Sequence, residues 1–257
     1  MRATKPMRCS KLIARRWEWR DTGAEGATII RENFHQRVSK GLRAVPLRAW
    51  LGVVALGIAL QCLELLGARF GPGFATAILA IGLLGGAMLV AAFVRVMAGL
   101  KLGSDLRALT TSAAAQAALV APTFVGGFGA LAVVSAAGRS AGAPVWLSLF
   151  LLVALSPIVI ALFVLPWLAA LATGRPLSLR GAVAGSKGIR LATLVYIIVA
   201  GVPSRMIDRV FYSAQGGLVL YAAILLAGIA FAFRTVMLAA IASAALDHVN
   251  DGRDGTR

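Results

Sequence analysis

The sequence predicts an all-α protein, a polytopic transmembrane helical bundle of about six spans. Three observations carry that expectation. Of its 257 residues, 59% are hydrophobic, against about 45–50% in ordinary soluble domains, and the mean hydropathy is +0.84. Apolar runs of about 20 residues recur, each long enough to cross a hydrocarbon core of about 30 Å. No stretch shows the alternating pattern of a strand. A soluble chain of this length cannot bury so much apolar surface. The expected organisation is a basic cytoplasmic tail with an amphipathic helix over 1–46, a six-span domain over 47–246, and a short cytoplasmic tail over 247–257.

In the first tail, Ile30, Phe34, Val38, Leu42 and Val45 recur about every four residues, with Arg31, Arg37, Lys40 and Arg43 between them. That spacing predicts a helix with one apolar and one basic face. Two readings are open: a helix lying on an acidic membrane surface, or a solvated lead-in to the first span. The basic stretch before the first apolar run is too long for a signal peptide. Trp17 and Trp19 stand among Arg15, Arg16 and Arg20.

Span one covers about Leu47–Leu66 and ends near Gln61 and Glu64. Gly71-Pro72-Gly73 predicts a tight turn. Span two, about Phe74–Val96, carries Gly82, Gly85 and Gly86, which suit close helix packing within one bundle or at a dimer face. Span three, about Leu109–Ala137, contains Pro122 and Gly126, Gly127 and Gly129. Span four starts at Pro144, exceeds a straight crossing and is interrupted by Pro157 and Pro166, each of which removes one helical hydrogen bond. Such breaks are either packing kinks or a discontinuous helix that presents backbone groups to a substrate. Span five, Ile189–Ile207, is barely long enough, and a re-entrant segment is the alternative. Span six covers about Gly216–Leu246 with Arg234 inside it.

A net charge of +16 in a soluble protein would suggest nucleic acid. Here the basic residues lie in the tail and between apolar runs, which points to membrane lipids with anionic headgroups as partners and not to nucleic acid. Heavy use of Ala, Gly and Arg suggests a bacterial source. The Lys/Arg bias places both termini on the cytoplasmic side of an inner membrane. The loops holding Lys101 and Arg107, and Arg175, Arg180, Lys187 and Arg190, fall inside. Those holding Arg69, Arg139, Arg205 and Arg209 fall outside.

Chemistry-bearing constellations are missing from the sequence. Cys9 and Cys62 give no disulfide framework, and His35 and His248 lack metal-ligand spacing. No phosphate-binding glycine loop and no nucleophile–histidine pair is visible. No catalytic residue, metal or cofactor is therefore expected. An arginine inside a span costs roughly 2.5–3.5 kcal/mol unless it finds a partner. Arg95 and Arg234, joined by Arg107, Arg180, Lys187 and Arg190, form a candidate lipid-phosphate site, since guanidinium grips phosphate with two hydrogen bonds. Glu64, Arg205, Asp208 and Arg209 form a candidate outer-side polar cluster, or simple interfacial pairs.

From Leu165 onward a proline-ended span is followed by a basic loop, the segment SLRGAVAGSKGIR and two further spans. With Ala182, Ser186, Lys187, Gly188 and Arg190, this layout resembles bacterial six-span proteins related to the membrane domain of glycerophosphodiester phosphodiesterases. The resemblance implies a membrane bundle without catalytic residues. The expected function is a structural or accessory lipid-facing bundle. The alternative is a small transporter or channel subunit using the proline-broken fourth span.

Overall fold

The computed structural model describes residues 34–70, 72–101, 105–136, 158, 161–213 and 217–254. All regular structure among them is helical. The elements are α1 (34–44), α2 (Leu47–Phe70), α3 (Pro72–Met97), α4 (Leu106–Ala136), α5 (Ala161–Thr173), α6 (Leu179–Gly185), a 3₁₀ turn (Lys187–Ile189), α7 (Arg190–Ser213) and α8 (Gly217–Asp254). Three described helical stretches, Leu47–Gly67, Ala80–Met97 and Gly217–Asp251, are long and apolar enough to cross a membrane. Helix α6 and the stretch Lys187–Pro203 meet at a bend of 49° and make a fourth if taken together. The first half of the expected fourth span, with Pro144 and Pro157, lies outside the described residues, as do Trp17, Trp19 and Arg139.

Helix boundaries follow local chemistry. Pro46 offers its carbonyl to the amides of Ala49 and Trp50, at 2.9 and 3.3 Å, and so opens α2. Pro72 stands at the first position of α3, where its missing N–H costs nothing. Asp105 caps α4 by accepting from the Ala108 amide at 2.9 Å, and Ser178 caps α6 by accepting from the Gly181 amide at 3.1 Å. Pro203 is carried inside α7.

Helix α8 is the axis of the bundle and packs against α2, α3, α6 and α7. Its later half is alanine-rich, with Ala239, Ala240, Ala242, Ala244 and Ala245 all buried. A helix apolar all round belongs inside, and alanine lets neighbouring backbones come close. Helices α2 and α8 cross at Gly57 and Gly228. A Cβ on Gly228 would lie 2.5 Å from Ile58 Cγ1 and 2.9 Å from the Val54 carbonyl. The earlier half of α8 is different, because Leu218, Val219, Tyr221, Leu225 and Leu226 are exposed.

Two features bear on the expected tails. The apolar face of α1 packs on the protein: Phe34 and Val38 are each 1% exposed and belong to the main core with Val45. Helix α8 runs on past Leu246, through Asp247 to Asp254. Val249 keeps its apolar period and is buried.

Candidate functional site

Polar side chains gather at one end of the bundle. Its core is a pair of helix C-termini. In α3, Gly99 adopts φ 72°, its amide donates to the Val96 carbonyl at 3.0 Å, and the Leu100 amide donates to the Arg95 carbonyl at 2.9 Å. In α5, Gly174 adopts φ 69°, its amide donates to the Leu171 carbonyl at 3.2 Å, and the Arg175 amide donates to the Ala170 carbonyl at 2.9 Å. Both are Schellman closures, which need the left-handed conformation that glycine adopts without strain.

The second closure leaves the next carbonyl of its helix, that of Ala172, without its helical donor. For Ala172 the helical donor would be residue 176, which is Pro176 and has no N–H. Arg95 supplies it: Nη1 donates to the Ala172 carbonyl at 2.7 Å, and Nη2 reaches the Lys101 carbonyl at 3.5 Å. The residue is 2% exposed. A cation is electrostatically favoured there, since a helix C-terminus carries a partial negative charge.

A second cationic contact lies alongside. Arg190 Nη2 donates to the Val183 carbonyl at 2.6 Å, and its guanidinium sits 4.5 Å from the centre of the Phe163 ring. The Ser186 hydroxyl donates to the same Val183 carbonyl at 3.1 Å. One arginine thereby joins α5, α6 and the start of α7. Ser112 of α4 donates to the Leu168 carbonyl at 2.9 Å beside a cavity of about 10 Å³ lined by Val94, Ser112, Gln116, Leu165 and Leu168. That is at the lower limit for one water molecule.

Helix α1 closes this end. Arg37 is ion-paired with Asp251, His35 Nδ1 is hydrogen-bonded to the Tyr196 hydroxyl at 2.6 Å, and the Phe34 ring lies 6.1 Å from the Tyr196 ring. Arg175 pairs with Asp247 at 3.5 Å. Sequence reasoning missed this set. Its signal was the continued apolar period through Leu246 and Val249, which puts Asp247 and Asp251 on a helix.

The six expected lipid-phosphate residues are thus divided. Arg95 and Arg190 donate to protein carbonyls. Arg107, Arg180 and Lys187 are exposed at this end, and Arg234 is exposed further along α8. Of the expected outer cluster, Glu64 is exposed on α2, while Arg205, Asp208 and Arg209 fall in the second half of α7 and their side chains lie outside the described ones. Among the described residues no group of three or more His, Cys, Asp or Glu is placed to hold a metal ion. What this end offers chemically is exposed positive charge around an alanine-rich core. No protein-family model, curated protein or solved structure matches the chain.

Proposed function

We propose that the chain is an integral protein of a bacterial inner membrane, crossing six times with both termini cytoplasmic, and that it serves without catalysis as a structural or accessory lipid-facing bundle. The observation that carries this reading is the apolar exterior of its long helices. In Leu47–Gly67 only 11% of the apolar stretch is buried inside the protein, although its mean hydropathy is 1.9. Leu51, Leu63 and Leu66 of α2, Ile81 and Leu84 of α3, Val195, Ile198 and Val202 of α7, and Leu218 and Leu225 of α8 are all exposed. Burying such side chains is worth about 1.5–3 kcal/mol each. An exterior of this extent marks contact with lipid or with a large partner surface, and four helices exposing it together suit lipid. The small-residue interior supports a packing role.

Alkaline carbonate washing of membranes tests the first part. The protein should stay in the pellet, and release into the supernatant rejects the membrane reading. Reporters fused at Arg257 and inside the 174–187 loop should both report cytoplasm. A saturable solute flux in proteoliposomes that is lost in Glu64→Gln would replace the accessory role with a carrier.

A further inference from the structure

Three of the described helices begin with the same two residues. They are Leu47-Arg48 in α2, Leu106-Arg107 in α4 and Leu179-Arg180 in α6. The leucines are 73%, 66% and 46% exposed, and all three arginines are exposed. An arginine in the first turn opposes the helix dipole, at a cost of about 0.3–1 kcal/mol. Helix stability therefore does not account for the arginines, and the caps of α4 and α6 are provided by Asp105 and Ser178. The ion pairs Arg37–Asp251 and Arg175–Asp247 leave the three guanidiniums out.

The three steps share one end of the bundle. Asp105 Oδ2 lies 3.8 Å from where a Cβ on Gly174 would stand, which brings the loop before α4 against the loop before α6. A Cβ on Gly41 would lie 3.3 Å from Met97 Sδ at the end of α3, which places the link from α1 to α2 at the same end. Lys40, Arg43 and Lys187 are exposed there as well.

An exposed leucine beside an exposed arginine, repeated at one end of the bundle, suits a boundary with hydrocarbon on one side and anions on the other. We propose that Arg48, Arg107 and Arg180 hold the phosphates of anionic phospholipids, with Leu47, Leu106 and Leu179 beside them at the edge of the acyl layer. The inference rests on the membrane-embedded reading and names the lipid class for it. It also replaces the buried Arg95 with exposed residues as the phosphate contacts.

The test compares spin-labelled phosphatidylglycerol with spin-labelled phosphatidylcholine in proteoliposomes of the wild-type protein. An anionic membrane surface attracts each nearby basic residue with about 1 kcal/mol, so a preference of about fivefold or more for phosphatidylglycerol is expected. The triple variant Arg48→Gln/Arg107→Gln/Arg180→Gln should bring the ratio close to one. Replacing the same three by Lys should keep most of it, and Lys40→Gln/Arg43→Gln should cost less than the triple variant. Equal association of the two lipids with the wild-type protein overturns the proposal whatever the variants do. So does an equal loss in the Lys40/Arg43 variant, or co-purification of nucleic acid in place of lipid. Retention in the membrane after carbonate washing together with equal lipid association would overturn this inference alone and leave the membrane reading standing.

Discussion

Arg95 closes the C-terminus of a helix that is not its own. Its Nη1 donates to the carbonyl of Ala172 at 2.7 Å across a sequence separation of 77 residues. Two helices that both end in a glycine closure are brought together, and one guanidinium lies between their negative ends. Arg95→Gln should therefore destabilise the fold by about 1.5–3 kcal/mol, the range for a hydrogen bond to a charged group. Arg95→Lys should recover only part of this, because an ammonium lacks the planar fork. Thermal unfolding in detergent measures both. An unchanged midpoint in Arg95→Gln would mean that the contact adds nothing.

The glycines separate into tight and open positions. Gly228→Ala pushes a Cβ against the Val54 carbonyl, at 2.9 Å, and against Ile58. The backbone cannot yield cheaply, so a loss of about 1–3 kcal/mol is expected. Gly82 has nothing within 4 Å of an added Cβ, and alanine is the better helix former by about 1 kcal/mol. Gly82→Ala should be neutral or stabilising. If the two variants unfold at the same temperature, α2 and α8 do not cross where the structure puts them.

Much of the helical layout was legible, because an apolar run bounded by Pro and Gly is a strong signal whatever surrounds it. What such a run packs against was not. The spacing of Phe34, Val38, Leu42 and Val45 announces a buried face, but periodicity does not say whether lipid or protein buries it. Arg95 illustrates the same limit. Gly174 followed by Pro176 marks a helix end in sequence alone, so an orphan carbonyl near Ala172 was foreseeable. That it lies beside Arg95 is tertiary information, and the sequence offered only a lipid phosphate, or Asp105 for one of Arg95 and Arg234, as counter-charge. The mixed charge of 247–257 reads as a tail by composition, yet the burial of Leu246 and Val249 carries the helix on to Asp254. The three Leu–Arg steps were on view throughout, but their meaning depends on all three starting helices at one end.

The cap of α4 gives a smaller and cleaner effect. The Asp105 carboxylate accepts from the Ala108 amide at 2.9 Å and stands at the positive end of the helix dipole. Asp105→Ala should cost about 0.5–2 kcal/mol, and Asp105→Asn should recover most of it because an amide oxygen also caps well. Equal losses in the two variants would show that charge, and not the cap hydrogen bond, is what counts.

The attachment of α1 sets apolar against ionic anchoring. Phe34 is fully buried against Tyr196 and the main core, whereas the Arg37–Asp251 pair is 29% and 62% exposed at its side chains. Truncating a buried phenylalanine costs about 3–5 kcal/mol; an exposed ion pair is worth about 0–1 kcal/mol. If the apolar face holds the helix, Phe34→Ala should free α1 from the bundle while Asp251→Asn leaves it in place. Mild trypsin reads this directly, because Arg37, Lys40 and Arg43 lie on α1 and resist cleavage while it is docked. Cleavage at these sites should accelerate in Phe34→Ala and stay near the wild-type rate in Asp251→Asn. The reverse order would mean that the ion pair holds α1 and that its apolar face only follows.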